Sequence, residues 1–294
     1  MPDTKRCKAS GRSRDQRSSA LPQHAARRLP AMSSSRIAVR RFLRPMSSVA
    51  FAAASACAVF AGGAAAAATA DSCVAQSGPQ VPTVVELYTS EGCNSCPPAD
   101  RWLTGLRARD GVVPLAFHVD YWDSLGWKDR FAQPQFTQRQ NASQRTSGAR
   151  FAYTPQVIVD GRDTPNWSVV PTASLLAARA PSTVALRLER DGTALRLVVS
   201  PGTDAPATLG GFVAVVDDGN LTHVGAGENR GVTLRQDGVV RELLPWTAAH
   251  GQPTTLSFTP TSSPEAGATR HWVAVATDAA TGKPLQAVTL ACAR

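Results

Sequence analysis

Away from its N-terminal end the chain has almost no net charge. Residues 1–50 hold 12 of the 31 Lys and Arg and 2 of the 22 Asp and Glu, which leaves 19 positive against 20 negative side chains in the rest. The formal charge of +9 therefore belongs to the leader, and the remainder gives no support for a nucleic-acid phosphate surface. A second Cys-x-x-Cys and a close His pair are also lacking, so the two ligand pairs of a structural zinc site are missing. The Gly-rich stretch Gly225-Ala226-Gly227-Glu228-Asn229-Arg230-Gly231 has no Lys-Ser/Thr ending and does not read as a phosphate cradle. His223, His250 and His271 are scattered and read as surface or capped histidines rather than ligands. No internal repeat occurs, and no low-complexity tract lies outside the leader.

The leader has the layout of an export signal. A basic segment ends at Arg40-Arg41-Phe42-Leu43-Arg44-Pro45, a small-residue apolar run follows over 49–68, and Ala68-Thr69-Ala70 fits a cleavage site before Asp71. The run is rich in Ala and Gly and poor in Leu and Ile, which argues against a permanent membrane span. Residues 1–70 are accordingly read as a cleaved leader, and the mature protein as periplasmic or secreted.

Cleavage leaves four cysteines, Cys73, Cys93, Cys96 and Cys292. An even number in an exported chain points to two bridges. Cys93 and Cys96 form one expected pair. Cys73 and Cys292 form the other, tying the termini together across a loop worth on the order of 4–5 kcal/mol in the chain-entropy treatment; the alternative leaves them unpaired near the ends.

From Pro82 onward the pattern reads as α/β. Thr83–Tyr88 and Val112–Val119 are continuous apolar strands of the kind buried on both faces. Pro97 to Arg109 reads as a helix, as does Gln133–Arg145 with Pro134 in its first turn. Gln156–Val159 and Arg162–Trp167 flank Asp160-Gly161 as a hairpin, and Thr172–Ala180 is a short helix ended by Pro181. The order β-α-β, insert, β-β-α is that of a thioredoxin-like domain over residues 80–180. Beyond Pro181 only short alternating strands appear, between Gly, Asp and Pro, and residues 182–292 read as an all-β, sandwich-like domain.

The segment richest in chemistry is VVELYTSEGCNSCPPAD, residues 84–100. An apolar strand runs into Cys93-Asn94-Ser95-Cys96, and a helix starts at once. Such a pair closes and opens a small disulfide ring, and the oriented amides of the helix favour a thiolate. Cys93 is expected to face solvent and attack, with Cys96 beneath it to resolve the mixed disulfide. Pro97 is best placed at the first helical position, which makes Cys96 the cap and lessens the dipole's effect on Cys93. Tyr153-Thr154-Pro155 opens the next strand, where a cis Thr154–Pro155 bond is expected to lie against the Cys pair and align a substrate strand. Asp120, Tyr121 and Trp122 leave the second strand at its C-terminal end, where α/β sheets place their sites, and are pocket candidates. Glu86 is read as a strand-edge carboxylate facing solvent, or else as a buried proton acceptor.

The strings VVELYTSEGCNSCPPAD, FHVDYWDSLGWKD, YTPQVIVDG and GENRGVTLRQDGVVREL resemble the secreted thioredoxin-like proteins of domain-of-unknown-function family 1223, over about residues 80–290. The resemblance implies a thioredoxin-like domain with a β-rich extension and carries over Cys93, Cys96 and Pro155, with Asp120, Tyr121 and Trp122 as pocket residues. It supplies no substrate. The expected function is exchange of thiols and disulfides with exported proteins, without cofactor, metal or nucleic acid. The alternative is a non-enzymatic Cu(I) carrier or adaptor in which the Cys pair is a staple.

Overall fold

The computed structural model describes residues 72–169, 171–175 and 179–292; the leader lies outside them. Fourteen strands, three α-helices and one 3-10 turn, Asp123–Leu125, follow one another in the described residues. The first part contains β1 (Ser72–Gln76), β2 (Thr83–Thr89), α1 (Pro97–Leu106), β3 (Val112–His118), α2 (Pro134–Ser147), β4 (Gln156–Val159), β5 (Arg162–Asp163) and α3 (Thr172–Leu175). The second contains β6 (Val184–Asp191), β7 (Ala194–Pro201), β8 (Thr208–Asp218), β9 (Asn220–His223), β10 (Thr233–Gln236), β11 (Val239–Ala249), β12 (Thr254–Phe258), β13 (Thr269–Asp278) and β14 (Pro284–Leu290).

The strands expected on either side of the Cys turn form, and they pair in parallel from Thr83↔Val112 to Thr89↔His118. All of β2 except Glu86 is buried, as its unbroken apolar run implies. Helix α1 begins at Pro97 with Cys96 as its cap, and its Ala99, Leu103 and Leu106 pack on Val85, Leu87 and Val157. Proline cannot donate a backbone hydrogen bond, and the first helical position needs none.

The expected fold class is corrected at this point. An α/β thioredoxin-like domain followed by a separate all-β sandwich does not form. Strand outweighs helix, 44% against 13% of the described residues, and the principal sheet is a single mixed one of eight strands in the order β14-β13-β8-β11-β3-β2-β4-β5. Its two halves meet where β11 lies parallel to β3, at Val239↔Ala116. Ala116 N donates to Gly238 O at 2.7 Å across this seam. Gly238 has a φ of +69°, and a Cβ there would stand 3.0 Å from the Pro114 carbonyl. A glycine is thus required for the strands to meet. The physical reason for the join is that β3 is buried on both faces, so its free edge is satisfied by another strand rather than by solvent.

A second sheet, β1-β6-β7-β12, packs against the C-terminal half of the large one. Leu186, Leu188, Leu197 and Val199 meet Val213, Val215, Trp272 and Val288 there. The opposite face of the large sheet carries Phe212, Val216 and Val273 in one core with Tyr88, Phe117 and Phe136 of the first part. Cys73 on β1 is bonded to Cys292 just beyond β14, with Cα atoms 5.7 Å apart. That bridge joins the edges of the two sheets. Strands β9 and β10 pair only with each other, as a hairpin arm between β8 and β11. Among the described residues no helix is long and apolar enough to cross a membrane.

Candidate functional site

The Cys turn is fixed by its own backbone. Cys93 N donates to Ser90 O at 3.2 Å, Cys96 N to Cys93 O at 3.2 Å, and Ala99 N and Asp100 N both to Cys96 O. Cys93 and Cys96 are joined as a disulfide, with Cα atoms 5.4 Å apart. Ser95 Oγ lies 3.3 Å from Cys93 Sγ. Both cysteines are 0% exposed, although Asn94 and Ser95 between them face solvent. The expected solvent-facing Cys93 is therefore not what the structure holds.

The aromatic loop after β3 connects this turn to the cis-proline segment. The Thr154–Pro155 bond is cis. Trp122 Nε1 donates to Thr154 Oγ1 at 2.8 Å, while the Trp122 Cβ stands 3.3 Å from where a Cβ on Gly92 would lie. Tyr121 is partly exposed; burial, ahead of its hydrogen bonds to Gln140 and Thr154, pushes its hydroxyl pKa up. Trp122 thus reaches from Gly92, next to Cys93, to Thr154, next to Pro155, and Tyr121 bonds the same Thr154. Asp120 is engaged elsewhere, accepting from Thr137 Oγ1 of α2 at 2.5 Å. Glu86 neither faces solvent nor approaches the cysteines. It pairs with Arg139 at 2.7 Å and accepts from the Tyr88 hydroxyl, on the wall of a cavity of about 500 Å³ between α2 and the sheet.

Four buried titratable groups beside the Cys turn were not singled out from the sequence. Asp129 Oδ2 accepts from Glu91 N at 2.8 Å and sits 2.7 Å from His118 Nδ1. Glu91 Oε2 accepts from Trp127 Nε1 at 2.9 Å. Asp100, one helical turn beyond Cys96, accepts from Thr89 Oγ1 at 2.9 Å. Burial pushes the Asp100 carboxyl up to about 6, against the pull of His118. Burial also raises Glu91, reinforced by the Asp129 charge. For His118 burial works downward, but Asp129, with Asp100 and Glu91, outweighs it and shifts the imidazole pKa up. Asp129 in turn is held below its ordinary value, because His118 and the Glu91 and Phe131 amides overcome its burial. Among the described residues His118 Nε2 is buried without a hydrogen-bond partner, while Thr222 lowers the Glu91 carboxyl through a side-chain hydrogen bond. These groups were legible as letters in the quoted strings, but a buried carboxylate is indistinguishable there from a surface one.

The β9–β10 arm completes the site. Asn229 Nδ2 donates to Glu91 O at 2.8 Å and to Cys93 O at 2.9 Å. Glu228 Oε2 accepts from Asn94 N at 3.2 Å. Trp127 fills the space left by Gly225 and Gly227, where a Cβ would lie 3.2 Å from its indole ring and 3.1 Å from its Cβ. The Gly-rich stretch set aside in the sequence as no phosphate cradle is thus the element that lies on the Cys turn.

Residues 84–276 match the family described as "Protein of unknown function (DUF1223)". A crystal structure of an Agrobacterium tumefaciens protein, determined as a structural-genomics target, is similar at 25% identity with a TM-score of 0.56, over 73% of this chain and 96% of that one. HBP35 of Porphyromonas gingivalis is similar over 72% of this chain and 76% of its own, at 14% identity and a TM-score of 0.49. No curated protein matches.

Proposed function

The chain belongs to the DUF1223 family, whose description assigns no chemistry, and we propose from the site itself that it is an exported thiol–disulfide oxidoreductase working through Cys93 and Cys96. The observation that carries this reading is a closed Cys93–Cys96 bridge with a buried carboxyl, Asp100, poised at about 6 in the next helical turn. A group titrating near neutrality is suited to exchanging a proton with a resolving thiol.

In the reducing direction the Cys93 thiolate attacks a target disulfide. A mixed disulfide forms and the first target sulfur leaves as a thiolate, which takes a proton from water. Cys96 then gives its proton to the Asp100 carboxylate and attacks Cys93 Sγ. The Cys93–Cys96 bond closes, the second target sulfur leaves, and two electrons have passed from the pair to the target. The oxidising direction is the reverse. Thr154 and Pro155 position the target strand, with Tyr121 and Trp122 flanking it. Targets would be thiols and disulfides of other exported proteins, and the protein itself would work in the periplasm or outside the cell, where two bridges persist.

A second reading, in which the Cys93–Cys96 bridge is a permanent staple, is favoured by the complete burial of both cysteines. The two separate on one experiment, a redox titration of that bridge read by thiol alkylation. Reversible opening at a potential matched to protein thiols supports the enzyme, and a bridge that stays closed supports the staple.

A further inference from the structure

The strands of the arm are anchored by buried Asn220, Thr222, Val224, Leu234 and Gln236, but the loop at its tip, residues 225–232, buries one side chain only. Strands β9 and β10 pair only with each other, over four residue pairs from Thr233↔His223 to Gln236↔Asn220. The neck of the arm closes with Gly231 N on Val224 O at 2.8 Å and Val224 N on Val232 O at 3.0 Å. Between Gly225 and Thr233 Asn229 alone is buried, at 5% exposure. That amide holds two carbonyls at once, Glu91 O and Cys93 O, and the neighbouring Glu228 holds the Asn94 amide. Within 225–232 the one apolar neighbour is Trp127, set against Gly225 and Gly227, and the one buried side chain is Asn229; so sparse an anchorage suits a segment that opens locally while the rest stays folded.

We propose that the 225–232 loop is a gate on the Cys93–Cys96 bridge, latched by Asn229, and that a partner thiol attacks the bridge only after this loop has lifted. The proposal rests on the reading that the bridge opens and closes. It reconciles that reading with the burial of both cysteines. The asymmetry of the latch adds a selection step: a partner must displace Asn229 from the Glu91 and Cys93 carbonyls and Glu228 from the Asn94 amide, so a chain that offers its own donors and acceptor to those groups is favoured over a small thiol that offers none.

The test is the rate of reduction of the oxidised protein by dithiothreitol, followed by alkylation of the freed thiols. One dithiothreitol thiolate attacks Cys93 Sγ and Cys96 leaves as a thiolate that takes a proton. The second dithiothreitol thiol then closes its ring and frees Cys93, so two electrons enter the pair and dithiothreitol is oxidised. If the loop gates the site, the wild-type rate levels off at high dithiothreitol, where opening limits it. Asn229→Ala then raises that ceiling about tenfold, in keeping with the loss of two hydrogen bonds, and Glu228→Ala raises it by a smaller factor. Neither variant moves the equilibrium potential. A wild-type rate that rises in proportion to dithiothreitol without levelling, and is unchanged in both variants, overturns the proposal. So does a shift of the potential in place of the rate, since Asn229 would then stabilise the bridge and not cover it. Glu228 is exposed, so its variant reports even where Asn229→Ala fails to fold. A potential too low for exchange, combined with a rate ceiling, would sink the enzyme reading while leaving the gate in place.

Discussion

His118 Nδ1 lies 2.7 Å from Asp129 Oδ2, and both side chains are completely buried beside the Cys turn. The pair does more than neutralise itself. The same Asp129 carboxylate accepts from the Glu91 and Phe131 amides, so it sets the path of the chain on both sides of the site.

Asp129→Asn should therefore destabilise the protein by about 3–5 kcal/mol near pH 6, the usual penalty for stranding one member of a buried pair. The sign with pH follows from the two directions. The raised His118 contributes stability that is present below its ordinary value and is lost as pH rises through its folded value. The lowered Asp129 contributes stability that is present above its ordinary value and is lost as pH falls through its folded value. Urea unfolding of the wild type should show a maximum between these limits, and the variant a flatter profile.

Asp100→Asn should act in the opposite sense on stability. The folded-state carboxyl titrates at about 6 against an ordinary 3.8, so the folded protein loses stability as pH rises from about 4 to about 6, by roughly 3 kcal/mol in all. Removing the charge removes that loss. The variant should be at least as stable as wild type at pH 7 while its resolution of mixed disulfides slows. Urea titrations at pH 4 and pH 7, set beside the pH profile of disulfide release, separate the two effects.

Cys93→Ser should abolish exchange. Cys96→Ser should retain attack but accumulate mixed disulfides with partner proteins, visible on non-reducing gels and cleared by dithiothreitol. An exchange-competent Cys93→Ser variant would refute the assigned roles.

The Cys73–Cys292 bridge spans 219 positions. Cys73→Ser together with Cys292→Ser should lower stability by up to about 5 kcal/mol, the entropy released to so long an unfolded loop. Because the bridge joins β1 of one sheet to the end of β14 in the other, exchange at Cys93 should be unaffected under conditions where the variant remains folded. Chemical unfolding and an exchange assay on one preparation check both halves.

The local elements around the site were legible because each had a strong signal. The unbroken apolar runs marked β2 and β3, the Pro pair marked the start of α1, and cysteine number marked both bridges. The joining of the two halves into one sheet was not legible. It rests on a parallel contact between Ala116 and Val239, made possible by the small size of Gly238, and no period in the sequence encodes a contact across more than 120 positions. Neither role offered for Glu86, a solvent-facing edge carboxylate or a proton acceptor for the Cys pair, anticipates its pairing with Arg139, which lies on α2, 53 positions away. Asn229 was in plain view within a Gly-rich stretch, but the role of that stretch depends on where the arm falls, which only the folded chain decides. The same holds for Asp100, Asp129 and Glu91, whose burial is a property of packing and not of composition.

The most direct measurement is the reduction potential of the Cys93–Cys96 pair, taken by alkylation and mass spectrometry across redox buffers. A reversible two-electron transition between about −120 and −270 mV, the span of working exchange proteins, is the expected result. A potential below about −300 mV would make the bridge a permanent staple and contradict the proposed chemistry.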